Sequence, residues 1–320
     1  MLKNLEKHVV TNSMRDKIFL FYGEPGTRKT TVAMGDKEKT LLAAFEVGYK
    51  FIPDIYVLKI ANWVTFKQMI YELADPDIKE IYSTIVIDTV GLAYKNCVAY
   101  ICSQAGVKNI GDIPYGRGYT DAKNEFEKLI NSIPQMGYGL ILIAHSDEMS
   151  DEKTVSVKVD IDKRPAAIIK GLADFILYAR KEKSEKNPEE TTVYAYSETT
   201  SEKIEVKSRA RFFPRKFEFT YENLVAALSH AIEKQNEFFG TVSKAEADFS
   251  LYEEDKIDVE KLKKEIIALA TPLRDTVYAD KLTAILTAHL RGIRVSEATI
   301  ANLASLFAIK DELIELRKGM

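Results

Sequence analysis

Apolar positions along the chain fall into two rhythms. Residues 17–22 (KIFLFY), 40–45 (TLLAAF), 55–60 (IYVLKI), 84–88 (TIVID) and 140–144 (LILIA) are short runs, apolar at most or all positions. A strand that is apolar throughout rather than at alternate residues is covered on both faces, the pattern of a parallel sheet. Trp63, Phe66, Met69, Ile70 and Leu73 instead recur at helical spacing. Phe175–Ala179, Thr192–Tyr196 and Lys203–Lys207 continue the strand list, and the later, more polar strands predict an antiparallel extension. Strands alternating with helices predict an α/β fold around a mainly parallel sheet.

After a helical stretch at 221–234 the pattern changes. Residues 237–256 are mixed and acidic, and read as a linker between a first domain at 1–236 and a second at 257–320. In the second, Val259, Leu262, Ile266 and Leu269, then Leu282, Ile285, Leu286 and Leu290, lie at three-to-four spacing. Ser296 is the expected N-cap of a last helical pair carrying Ile300, Leu303 and Leu306. This predicts a small all-helical domain.

A length of 320 residues agrees with two domains of about 150 each. With 46% hydrophobic and 29% charged residues, disordered, collagen-like and disulfide-scaffold classes are excluded. Cys97 and Cys102, with four scattered histidines, frame no metal site and suit a reducing compartment and core packing. The first residues hold no apolar leader and no run of about 18 apolar residues occurs, so a soluble, cytoplasmic chain without membrane contact is expected. A net charge of −3 leaves any nucleic-acid contact to local patches.

The chemistry concentrates after the first apolar run. Gly23, Glu24, Pro25, Gly26, Thr27, Arg28, Lys29, Thr30 and Thr31 follow the P-loop pattern G-x-x-x-x-G-K-[ST], between a strand and a helix. Such a loop turns backbone N–H groups inward around phosphates, sends a lysine to the terminal phosphates and places a hydroxyl on Mg²⁺. Arg28 stands where the pattern has glycine. A side chain there implies strain of about 1–3 kcal/mol, and its guanidinium beside phosphate would partly offset that. A loop closed without nucleotide is the alternative.

Asp88 ends an apolar strand, the place of an acid that holds the Mg²⁺ shell; a helix-capping carboxylate would look the same. Glu46, after the second strand, is placed to polarise an attacking water, or is an ordinary strand-end acid. His145 closes the 140–144 run where a γ-phosphate would lie, as a sensor or as a structural histidine.

Together these pieces resemble the phage RecA-like ATPases that act beside single-strand DNA annealing and recombination functions. The matching segments are Phe21–Gly26 with Lys29-Thr30-Thr31, Leu41–Gly48, Thr84–Thr89, Pro114–Tyr119, Ile143–Ser146, Ala173–Ala179 and Lys207-Ser208-Arg209, covering about residues 15–235. The resemblance implies a RecA-like P-loop NTPase core that uses ATP and Mg²⁺. It places Lys29 on the phosphates, Thr30 and Asp88 on the metal, and Glu46 as the catalytic carboxylate. It also implies an oligomer in which Lys207 and Arg209 reach the γ-phosphate of a neighbouring subunit. A basic sheet edge that discourages aggregation would account for that pair equally well.

Single-stranded DNA is the implied partner. Six basic residues between 203 and 216 are interleaved with Phe212 and Phe213, suiting phosphate tracking and base stacking, with Arg211, Phe212 and Arg215 as candidates. Two segments fall where such proteins carry mobile DNA loops: 106–119, with Arg117 and Tyr119, and 146–170, with Lys163 and Arg164. Part of the second, with valines at 155, 157 and 159, is compatible with a hairpin. The leading expectation is a slowly hydrolysing ATPase acting on single-stranded DNA. The alternative is a nucleotide-binding scaffold with hydrolysis impaired by Arg28, its helical tail docking a protein partner. A small-molecule kinase is the weakest reading.

Overall fold

The computed structural model describes residues 10–151, 154–184, 189–199, 203–240, 259–274, 276–290, 292–298 and 302–318. The first part runs β1 (Ile18–Gly23), α1 (Lys29–Ala33), β2 (Thr40–Ala44), β3 (Tyr56–Lys59), α2 (Trp63–Glu72), α3 (Pro76–Ile81), β4 (Thr84–Asp88), α4 (Val90–Gln104) and α5 (Arg117–Gln135). It continues through β5 (Gly139–Asp151), β6 (Thr154–Asp160), α6 (Lys163–Leu172), β7 (Phe175–Lys183), β8 (Thr191–Tyr196), β9 (Lys203–Ile204), β10 (Lys207–Ser208), β11 (Lys216–Glu218) and α7 (Tyr221–Phe239). Then come α8 (Val259–Ala270), α9 (Ala279–Leu290) and α10 (Leu303–Lys318).

The main sheet has the order β11-β8-β7-β1-β5-β4-β2-β3. From β3 to β7 every pairing is parallel, and β8 and β11 close one side antiparallel. The mixed α/β architecture with a mostly parallel sheet follows the apolar runs. The period of two divides each strand between two layers. In β1, Leu20 and Tyr22 face a layer that holds Trp63, Phe66 and Phe126, whereas Phe19 and Phe21 face Leu224, Leu228 and Ala231 of α7. Cys97 and Cys102 are buried free thiols on α4.

Several expectations are corrected. The run at 140–144 does not stop at His145: β5 continues to Asp151 and turns back antiparallel as β6, with His145 opposite Asp160. The segment at 146–170 thus contains the hairpin that its valines allowed, and the correction is its second part, a helix, α6, that Lys163 and Arg164 open. In the other expected loop, Arg117 and Tyr119 lie in the first turn of α5. Lys203–Lys207 is two two-residue strands, β9 on β6 and β10 on β7, rather than one. Helix α7 runs on to Phe239, past the expected start of the linker, and the rest of that linker lies outside the described residues.

Helices α8, α9 and α10 surround an apolar cluster of their own that includes Leu262, Ile266, Leu282, Leu306 and Leu313. Ser296 sits inside a short 3₁₀ turn (Val295–Glu297) rather than capping a helix, and one long helix replaces the expected pair. Ile300 lies outside the described residues. This unit rests on α2. The rings of Tyr71 and Phe307 stack at 4.0 Å and 9°, and Lys67 sits 3.6 Å from both Glu125 and Asp311. No helix among the described residues is long and apolar enough to cross a membrane.

Candidate nucleotide site at the carboxyl edge of the sheet

In an open parallel sheet, ligands bind beyond the carboxyl ends of the strands. Here β1, β2 and β4 end together, with Ala44 beside Asp88, Asp88 beside Ile143, and Tyr22 beside Ala144. That register brings the loop after β1, the acid at the end of β4, Glu46 after β2 and His145 of β5 to one edge.

The loop begins at Gly23, where a Cβ would lie 2.2 Å from the carbonyl oxygen of Ala179, so only glycine lets β1 leave the sheet alongside β7. Arg28 adopts φ 57° and ψ 19°, the left-handed conformation usually given to glycine. The loop thus keeps the local shape that its missing glycine would have supplied, with an exposed guanidinium added. Lys29 is buried. Its Nζ donates to the carbonyl oxygens of Gly23 and Glu24, each at 2.8 Å, and to Thr27 Oγ1 at 3.2 Å. Burial lowers its pKa to about 8, while the charges of Asp88, Glu46 and Glu24 oppose the shift. Thr31 is exposed on the outer side of α1.

Thr30 Oγ1 donates to Asp88 Oδ2 at 2.7 Å. Burial raises the Asp88 carboxyl to about 6, with Glu46 pushing the same way and Thr30 against it. The backbone N–H groups of Phe45 and Glu46 both donate to the Asp88 carbonyl, at 2.7 and 3.2 Å. Glu46 Oε2 in turn lies 3.5 Å from His145 Nε2. The hydroxyl, the acid, the second carboxylate and the histidine form one connected set.

Comparison with known proteins bears on this edge. Residues 15–212, more than half of the chain, match a family described as an AAA domain. The chain belongs to that family. It is also 28% identical, over 98% of its own length and 97% of the relative's, to the SPbeta prophage-derived uncharacterized protein YorG of Bacillus subtilis strain 168.

An AAA-type P-loop ATPase domain implies a nucleotide and Mg²⁺, and the side chains fit the ion. Asp88 Oδ1 is buried without a hydrogen-bond partner. An ionised carboxylate only accepts, so a hard cation is the natural complement of such an oxygen. Thr30 and Asp88 would hold the ion, which when bound neutralises charge on phosphate oxygens.

The AAA domain separates the other singled-out residues into groups. At the phosphate edge, the Arg164 guanidinium lies 4.2 Å over the Tyr119 ring, which joins two segments that are far apart in sequence. Lys163 is exposed beside Arg164, and Arg117 pairs with Asp121 at 3.5 Å. A cavity of about 410 Å³ opens next to His145, lined by Glu46, Tyr94, Lys95 and Asp162 among others. Sequence spacing gave no sign of it, because its walls come from four separate elements.

Lys207 and Arg209 lie at the other edge. Lys207 Nζ donates to the carbonyl oxygens of Lys170 and Ala173, at 2.8 and 2.6 Å, and so caps α6. Arg209 bonds Asp174 Oδ1 at 3.0 Å and the Gly171 carbonyl at 2.9 Å. Asp174 also accepts from the Ile18 N–H, which fixes this pair at the start of β1. Arg211 stacks on Phe212 and Phe238, and Arg215 pairs with Glu198 at 2.9 Å.

Proposed function

We propose that this ATPase domain hydrolyses ATP slowly, as a RecA-like oligomer acting on single-stranded DNA in recombination or strand annealing. The observation that carries the reading is the convergence of Lys29, Thr30, Asp88 and Glu46, from three strand ends, around a buried carboxylate oxygen without a donor. Lys29 would reach the phosphates, Thr30 and Asp88 the Mg²⁺ ion, and Glu46 the attacking water, with His145 beside it as sensor. The RecA-like assignment rests on the sequence resemblance together with the place of β5 between β1 and β4, which puts His145 among these groups.

Assembly is supported by the position of Lys207 and Arg209. Strand β1 spans about 17 Å at about 3.3 Å per residue, with Arg209 near its first residue and Gly23 at its last. These cations do not reach their own chain's phosphates; they serve a site only in a second copy stacked head to tail. A cation delivered across an interface stabilises transition-state charge and couples hydrolysis to assembly. DNA is assigned to the phosphate edge, where Arg117, Tyr119, Lys163 and Arg164 gather.

A second reading, a nucleotide-binding scaffold, draws on Arg28 and on a lysine already satisfied by loop carbonyls. Measuring ATP turnover with and without single-stranded DNA separates the two. Stimulation by DNA supports the ATPase on DNA; nucleotide binding with no turnover under either condition supports the scaffold.

A further inference from the structure

Strand β7 runs past the end of β1. Gly23, the last residue of β1, pairs with Ala179, and β7 continues to Lys183 beside the phosphate loop. Ala179 and Lys181 share a face, since side chains alternate along a strand. On that face Ala179 belongs to one apolar cluster with Val32 and Ala33 of α1, so Lys181 projects toward the loop that joins β1 to α1. The contact is close: a Cβ on Gly26 would meet the Lys181 ammonium at 3.1 Å. Gly26, at φ 78°, leaves that ammonium the room a side chain would take. Pairing of Lys181 with Val193 holds its backbone in the β7–β8 ladder rather than in a turn.

An exposed lysine near a strand end ordinarily reaches into water or pairs with an acid. Lys181 is exposed but lies against the loop, and among the described residues it forms no ion pair or hydrogen bond. Its neighbour Glu182 is taken by Lys216 at 3.0 Å and by the Tyr196 hydroxyl. Glu24 is the acid of the loop itself, and it stands against Arg28, Lys29 and Lys181. Lys29 already donates to two loop carbonyls and to Thr27. The positive charge that the surface of the loop offers therefore comes from Arg28 and Lys181, both exposed and neither ion-paired among the described residues.

We infer that Lys181 is a phosphate-binding residue of this site. With Arg28 it presents a pair of exposed cations to the polyphosphate of a nucleotide, and it comes from a strand that the loop motif does not include. Such a cation has no ion pair to break when an anion arrives, and at physiological salt its attraction extends over about 8 Å. The inference deepens the ATPase reading and rests on it.

The test uses the full-length chain and two variants, Lys181→Gln and Lys181→Arg. Calorimetry with ATP and Mg²⁺ measures affinity at low and high salt, and circular dichroism checks folding. Lys181→Gln should weaken ATP binding about ten-fold, the low end for a hydrogen bond to a charged group. Lys181→Arg keeps the charge and should restore most of that loss. The loss in Lys181→Gln should shrink at about 1 M salt, where the screening length falls to about 3 Å. Wild-type ATP affinity in Lys181→Gln overturns the assignment and leaves the ATPase reading standing. Equal losses in the two variants also overturn it and place the effect in packing, and a loss that salt leaves unchanged overturns it because charge is then not the cause. A wild type that binds no ATP overturns the ATPase reading and this assignment with it.

Discussion

Thr30 Oγ1 and Asp88 Oδ2 are 2.7 Å apart, joining the first turn of α1 to the end of β4. The bond occupies one carboxylate oxygen and leaves Oδ1 buried and unpaired. Burial shifts the group toward its neutral form, the Thr30 hydrogen bond opposes that shift, and a bound cation favours the ionised form, which makes the site's affinity depend on pH.

The Asp88 carboxyl sits at about 6 rather than its ordinary 3.8 because it is buried. Its protonated form therefore stabilises the empty fold, fully below the unfolded value and less as pH rises through 6. Cation binding needs the ionised form, so Mg²⁺-dependent nucleotide affinity should fall as pH drops through 6. For one proton the fall approaches ten-fold per pH unit. At the other end, Lys29, lowered to about 8 by burial, loses its charge above that pH in the empty loop. The expected outcome is an affinity maximum between 6 and 8, measured by calorimetry. Asp88→Asn should abolish the acid limb; a limb that survives the substitution would assign it to another group.

Arg28 combines a strained backbone with a side chain placed beside the phosphate loop. Releasing a left-handed non-glycine residue is worth about 1–2 kcal/mol, so Arg28→Gly should raise the stability of the nucleotide-free chain by about 1 kcal/mol in urea unfolding. A charge-assisted hydrogen bond to phosphate contributes about 1.5–3 kcal/mol. The same variant should therefore bind ATP about ten-fold more weakly. Equal affinity before and after the change would mean that the guanidinium never meets the nucleotide.

These cases show what could be read from residue order. Strands with apolar runs, such as 84–88 and 175–179, were legible because burial on both faces leaves no polar position to confuse the period. The phosphate loop was legible because Gly23, Lys29 and Thr30 lie within eight residues of one another. At 106–119 only Arg117, Gly118 and Tyr119 enter α5, and at 146–170 the alternating valines already allow the hairpin, with Val157 and Val159 reaching the core. The start of α6 was not legible because Lys163 and Arg164 face solvent. The Arg164–Tyr119 stack, the cavity beside His145 and the Lys67 cluster depend on long-range packing that no local pattern encodes.

Arg209 holds Asp174 in the isolated chain, and Asp174 also accepts from the Ile18 N–H. The Arg209 side chain is about half exposed, so its loss should cost stability less than about 1 kcal/mol. Arg209→Ala should lower ATP turnover of an assembled form by about 1,000-fold or more, the low end of the range for a cation supplied from a neighbour. Nucleotide affinity of the monomer should stay within about two-fold. Equal loss of affinity and turnover would place the residue's effect within its own chain.

Lys67 and Tyr71 lie one helical turn apart on α2, and both reach α10, through Asp311 and Phe307. One is a cation shared with Glu125 and hydrogen-bonded to the Tyr100 hydroxyl at 3.1 Å; the other is an aromatic stack worth about 0.5–1.5 kcal/mol beyond its buried area. Removing either should loosen the helical unit without unfolding the sheet, since the two have separate apolar clusters. Phe307→Ala and Lys67→Met should each speed amide hydrogen exchange across Leu303–Lys318 several-fold and leave Ile18–Gly23 unchanged. Combining them should speed exchange more than either alone, because both substitutions release the same helix. Exchange in α10 as slow as in the unmodified chain would show that its own cluster, and not α2, holds that helix in place.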